Sequence, residues 1–276
     1  MLDHQVVGNA MQMAVCTLRP GQVLYAEAGK FLFRSGDVTM ETKLQQPQSQ
    51  KGKSGARGLL QGALEVGKRM LAGESFAFQQ FGTQGGDGLV ALAGVLPGEL
   101  RSIELAPGDV WLAEKDAFVG AEGTIRFDIA FSGLRNGLAG GEGFVLEKFT
   151  TEFGGTLFLG GAGNFIDINP AEYGGKLLVD TGCIVAFDAN RIRYGVESIG
   201  RFSRQGLTTA LFGGEGLTVA TLEGDGRVIL QSMTIRALAT ALAKNAGSGR
   251  GEDGPTVGLG GLGGGGLGML LGGSRD

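Results

Sequence analysis

A glycine-marked β hairpin that recurs three times is the feature that most constrains this chain. Its clearest copy runs from Phe212 to Met233: Phe212-Gly213-Gly214-Glu215-Gly216, a segment from Leu217 to Leu222, the reversal Glu223-Gly224-Asp225-Gly226, and a return from Arg227 to Met233. Leu217, Val219 and Thr221 alternate onto one face, and Gly224, Asp225 and Gly226 are the residue types of a tight hairpin turn. Upstream, Phe76 to Phe81 runs into Gly85-Gly86-Asp87-Gly88 and returns over Leu89 to Ala93. Phe144 to Phe149 likewise runs into Gly154-Gly155 and returns over Thr156 to Leu159.

Two sets of landmarks keep nearly the same interval. The pairs Gly73-Glu74, Gly141-Glu142 and Gly214-Glu215 are 68 and 73 residues apart. Gly29, Gly108 and Gly182, each in a turn that enters an apolar segment, are 79 and 74 apart. Agreement between independent landmarks is the mark of an internal repeat. It predicts an all-β fold of three pseudo-repeated units, arranged as a β prism or short β-helix-like barrel. The copies fall at about 20–95, 96–165 and 166–235 within a domain spanning 1–235. Composition agrees, because 54 of 276 residues are glycine where about 7% is usual, and glycine serves tight turns while weakening helices.

Further strands are expected over Asp3 to Leu18, with Met11, Met13 and Val15 on one face, and over Val23 to Tyr25, Lys30 to Arg34 and Val38 to Lys43. Ile125, Phe127, Ile129 and Phe131 alternate with Arg126, Asp128, Ala130 and Ser132, so one face of that strand must be buried. Asn169-Pro170 signals a turn before strands at Lys176 to Val179, Cys183 to Phe187 and Ile192 to Val196. Trp111 is expected in the core or an interface, and Cys183 as a buried, inert thiol.

The first copy is about eleven residues longer than the others between its landmarks. The extra length is placed in Leu44 to Arg57, a polar surface loop whose Lys51, Lys53 and Arg57 are candidate interaction residues. Leu59, Ala63, Val66 and Met70 then form a helical stripe, read as a short edge helix. A glycine-free run predicts a C-terminal helix over Ile235 to Lys244, the short helical segment being bounded at 236–246. Residues 247–276 read as a glycine-rich flexible tail whose Leu267, Met269 and Leu270 are candidate contact residues. Its glycine content argues against a membrane-spanning helix.

Taken together, the block from Phe212 to Met233, the strand pair from Leu178 to Phe187 and the segment Lys68-Arg69-Met70-Leu71-Ala72-Gly73-Glu74-Ser75 resemble the bacterial relatives of the mitochondrial protein altered inheritance of mitochondria 24. The likeness covers roughly residues 10 to 235 and includes the glycine-rich end. It implies a β domain related to the tryptophan RNA-binding attenuator-like fold, in a largely uncharacterised family whose mitochondrial members are linked to inner-membrane organisation. It carries over no catalytic residues. Nothing in the first residues resembles a mitochondrial presequence or a signal peptide, and the expectation is a bacterial, cytoplasmic protein that associates with a membrane.

Several chemistries are disfavoured by the residues themselves. A net charge of −4 with interspersed signs argues against nucleic-acid binding by phosphate neutralisation. One histidine, His4, removes multi-histidine zinc sites and leaves a Ser-His-Asp triad without a well-placed base. Lys51-Gly52-Lys53-Ser54 ends like a phosphate-binding loop, but Pro47 stands where that motif needs its first glycine. Glu74, Glu142 and Glu215 occupy matching places, with Arg69, Arg135 and Arg204 upstream. They could ring a cation, but the preferred reading is carboxylates accepting backbone N–H bonds in a repeated turn. Pairs such as Glu152 with Asp167, or Asp180 with Asp188, have no catalytic distance that sequence can assign. The expectation is therefore a non-enzymatic scaffold or interaction protein without cofactor, homo-oligomeric, with peripheral membrane contact and no nucleic-acid partner. The alternative is a small-ligand- or metal-binding β domain, its pocket near Trp111 or at the repeated turns.

Overall fold

The computed structural model describes residues 1–43, 77–131, 145–198 and 218–247. Its first strands are β1 (Asp3–Val7), β2 (Met13–Leu18), β3 (Val23–Glu27), β4 (Phe31–Arg34), β5 (Val38–Lys43), β6 (Phe78–Thr83) and β7 (Gly88–Ala93). They are followed by β8 (Leu100–Leu105), β9 (Val110–Glu114), β10 (Phe118–Glu122), β11 (Ile125–Phe131), β12 (Val145–Thr151) and β13 (Gly155–Gly160). The last are β14 (Phe165–Ile168), β15 (Lys176–Val179), β16 (Ile184–Asp188), β17 (Ile192–Ser198), β18 (Thr218–Gly224) and β19 (Val228–Gln231), before helix α1 (Ile235–Gly247).

These strands make four antiparallel sheets. The first has the order β1-β2-β7-β4, the second β5-β6-β3-β10-β13-β8, the third β11-β12-β9-β16-β19-β14 and the fourth β15-β18-β17. The fold is all-β as the sequence predicts, but each sheet ends in two open edges, so the described strands close no barrel. The trios β2-β7-β4, β8-β13-β10 and β14-β19-β16 share one order, and β5-β6-β3, β11-β12-β9 and β17-β18-β15 share another. The register slips by one residue between Phe31 and Phe33, between Phe118 and Gly120, and between Ile184 and Ala186. Each slip is a β-bulge at the same place in its trio.

Three hydrophobic clusters join successive sheets. Cys16, Leu18 and Leu92 of the first sheet pack with Leu24, Phe81 and Phe158 of the second. Tyr25, Phe78, Leu157 and Leu159 of the second sheet meet Trp111, Phe127, Phe149 and Ile229 of the third. Leu146, Phe187 and Val228 of the third meet Val179, Ile192, Ala220 and Leu222 of the fourth. The second and third sheets therefore bury both faces, which period-2 alternation permits: Leu24 and Ala26 enter one cluster while Tyr25 between them enters the next. The central cluster is aromatic, with Phe118 stacked on Phe149 at 5.2 Å and Phe127 edge-on to Phe78 at 5.4 Å.

Five expectations are corrected. The three expected hairpins do not close on themselves: β6, β12 and β18 lie in the second, third and fourth sheets, whereas β7, β13 and β19 lie in the first, second and third, so each glycine turn carries the chain from one sheet to the next. The strand expected over Asp3 to Leu18 is a hairpin, β1 against β2, reversed at Gly8 with φ +96°. Its buried face is Ala14, Cys16 and Leu18; Met13 and Val15 are half-buried and Met11 exposed, because only the even positions of β2 face the second sheet. Cys183 is half-buried in a single-turn 3-10 helix, Thr181–Cys183, preceding β16. Asn169-Pro170 opens another such turn, Pro170–Tyr173, capped by the Asn169 side chain. Trp111 lies in the central core at 6% exposure, and the C-terminal helix is present.

Candidate functional site

Glu74, Glu142 and Glu215, with Arg69, Arg135 and Arg204, all lie outside the described residues. So do Lys51, Lys53, Arg57, the Lys51 to Ser54 motif, the expected helix over Leu59 to Met70, and the tail residues Leu267, Met269 and Leu270. The carboxylates that the sequence left unplaced part company: Glu152 pairs with Arg126 at 2.8 Å, and Asp167 pairs with two other arginines. Asp180 caps its own turn through Gly182 N, while Asp188 accepts from Asn190 N and faces Arg191.

The described residues do shape a polar cleft of about 320 Å³, lined by Asp167, Ile168, Asn169, Glu172, Arg191, Asp225, Gly226 and Arg227. Asp167 on β14 accepts at 2.6 Å from Nε of Arg227, the residue that precedes the neighbouring β19, and pairs with Arg101 on β8. Because β8 edges the second sheet and β14 the third, this ion triad ties the two sheets together. Both guanidiniums also lie over aromatic rings, Arg101 above Phe165 at 5.7 Å and Arg227 above Trp111 at 5.9 Å. Asn169 accepts from Ala171 N and Gly226 N, each at 3.1 Å, and its amide donates to Asp225 Oδ1 at 2.8 Å. These groups are committed to one another, and their chemistry is that of a turn clasp and an ion tether.

A second set of exposed features sits on strand edges. Leu32 and Phe33 on β4 are 49% and 47% exposed, and Leu178 on β15 is 61% exposed. On the fourth sheet beside Leu178, Lys176 bridges Glu197 and Glu223, and Arg193 donates to Glu223 at 2.5 Å. Arg193 first, and then Lys176, hold the Glu223 carboxyl below its ordinary range, while the Glu197 hydrogen bond raises Lys176. Sequence reasoning named Asp167 only beside Glu152 and missed its triad with Arg101 and Arg227, residues up to 126 positions apart in the chain that carry no spacing signal. It also missed the edge role of Leu32, Phe33 and Leu178, since each reads simply as a strand residue.

Among the described residues no group of three or more His, Cys, Asp or Glu side chains is placed to hold a metal ion. Nor is any described helix long and apolar enough to cross a membrane. What the fold and exposed chemistry define is an all-β protein of open antiparallel sheets, tied by ion pairs, with Leu32, Phe33 and Leu178 exposed on strands that end their sheets among the described residues. The chain belongs to the Mitochondrial biogenesis AIM24 family, whose model matches residues 4–233. It is 30% identical over 192 residues to an uncharacterized protein of Streptococcus pyogenes serotype M6, covering 68% of this chain and 72% of that one. The crystal structure of another Streptococcus pyogenes protein shares its fold at a TM-score of 0.65, with 22% identity over 89% of this chain and all of the other.

Proposed function

We propose that the chain is a triplicated β unit, arranged around its shared sheets in a prism-like manner, and that it serves as a non-enzymatic, homo-oligomeric scaffold. The strand trios with common order and the bulge at one place in each support the triplication. The observation that carries the scaffold reading is the exposure of Leu32, Phe33 and Leu178 on strands at sheet ends. Bare apolar edges in water invite strand addition, and a stable protein covers them by association or blunts them with charge. A bacterial cytoplasmic setting with peripheral membrane contact, and no nucleic-acid partner, completes the proposal.

The test is the native mass of the full-length protein beside a version ending at Ala246, each with and without anionic lipid vesicles. A discrete oligomer at full length is expected, with subunits or vesicle binding lost when the glycine-rich tail is removed. A monomer in every condition overturns the scaffold reading and turns attention to the Asp167–Arg227 cleft as the small-ligand site of the alternative reading.

A further inference from the structure

Sheets two and three each contain a seam at which two strand trios join. At the first, β3 pairs with β10 through Leu24 with Glu122, Tyr25 with Ala121 and Ala26 with Gly120. At the second, β9 pairs with β16 through Trp111 with Asp188, Leu112 with Phe187 and Ala113 with Ala186. The same two kinds of strand exist once more without each other. Strand β15 ends the fourth sheet and β4 ends the first.

The positions can be matched residue by residue. Phe81, Phe149 and Leu222 each lie two residues before the end of their strand, and they face Leu24, Trp111 and Leu177. Leu177, Leu178 and Val179 on β15 therefore stand where Leu24, Tyr25 and Ala26 stand on β3. The three bulges align Phe33, Arg34 and Ser35 with Gly120, Ala121 and Glu122, and with Ala186, Phe187 and Asp188. Exposure follows the state of the seam. Tyr25 is 0% exposed where Leu178 is 61%, and the bulge residues Val119 and Val185 are 0% and 1% where Leu32 is 49%. The two unused edges belong to the first and last sheets, and no hydrophobic cluster draws on both.

We propose that β15 of one copy of this chain pairs with β4 of a second copy, repeating between molecules the antiparallel seam that joins β3 to β10 and β9 to β16 within one. The register places Leu178 opposite Arg34, Val179 opposite Phe33 and Leu177 opposite Ser35. The occupant is a second copy because the chain itself supplies, on opposite terminal sheets, the two complementary halves of a junction it already uses twice. The contact is heterologous, so repetition closes a ring or extends a filament. This inference rests on the homo-oligomer reading and names its surface.

Phe33→Lys and Leu178→Lys place a charge on one half of the junction each, at sites exposed enough to leave the fold intact, which an unchanged melting temperature checks. Each variant alone should be monomeric, with association weakened at least about tenfold. Mixed one to one they should give a heterodimer and nothing larger, since Leu178→Lys retains β4 and Phe33→Lys retains β15. As a second route, Arg34→Cys with Leu178→Cys in a Cys183→Ser background should give an oxidised ladder beyond the dimer. Either single cysteine faces no cysteine across the seam and should stay uncross-linked. A wild-type oligomer whose mass neither lysine variant alters, or an oligomer without the cysteine ladder, overturns the seam and leaves the scaffold reading standing. A wild type that is monomeric at every concentration overturns both.

Discussion

Gly98 occupies a place that no side chain can enter. A Cβ there would lie 2.2 Å from Gly161 O and 2.7 Å from Gly163 N, both backbone atoms, at the isolated bridge between Gly98 and Gly163. Glu99 N donates to Gly163 O and Gly163 N to Pro97 O around the same point, so the clash cannot be relieved by a rotamer change. Gly98→Ala should lower stability by more than about 2 kcal/mol, read as the shift of a denaturant midpoint at unchanged slope. A variant within about 0.5 kcal/mol of the parent would show that this approach is not tight. Glycine richness was plain in the sequence, but which glycines are packed this closely was not. Gly21 and Gly29, by contrast, have nothing within 4 Å and are needed for their positive φ.

Among the elements, the turn from Ile168 to Tyr173 shows a short motif acting at long range. Asn169 caps its own 3-10 turn and also holds the turn that carries the chain from β18 to β19 through Gly226 N and Asp225. Asn169→Ala removes three hydrogen bonds at a partly exposed site, with an expected cost of about 1–2 kcal/mol. Asn169→Asp should recover the two backbone bonds and lose the one to Asp225, giving an intermediate melting temperature. Equal loss in both variants would mean the contact to Gly226 is incidental. The strands themselves were largely legible: Ile125 to Phe131, Lys176 to Val179 and Val228 to Gln231 follow from alternation or from the return after a glycine turn. Asp3 to Leu18 misled, because its loose alternation runs through the Gly8 reversal and the side that faces the core is set by the neighbouring sheet.

At the scale of the molecule, the second and third sheets each line two cores, so no core can open without exposing a face of the next. The described β domain should therefore unfold as one unit. Two native probes sit in different cores: Trp111 in the central cluster and Cys16 in the first, where burial pushes the thiol up to about 12. In a Cys183→Ser background, Trp111 fluorescence and thiol labelling of Cys16 should give the same guanidinium midpoint. Separated midpoints would mean that the three cores are independent.

The sequence by itself determined the all-β class and the positions of most strands and glycine turns, because alternation and turn residues are local properties of the chain; that those turns join strands of different sheets and do not close hairpins was not in it. It also carried the family resemblance, since that rests on the order of residues. Tertiary structure decided which strands share a sheet, how the sheets layer into three cores, and which strands end a sheet among the described residues. Antiparallel pairing across a seam joins residues such as Tyr25 and Ala121, 96 positions apart, and no local pattern records such a choice. Leu178 and Tyr25 read alike as strand residues, yet Tyr25 is buried because its face meets the third sheet across the central core, and Leu178 is exposed because it lies on the face of the fourth sheet opposite the one that Leu177 and Val179 turn to the third.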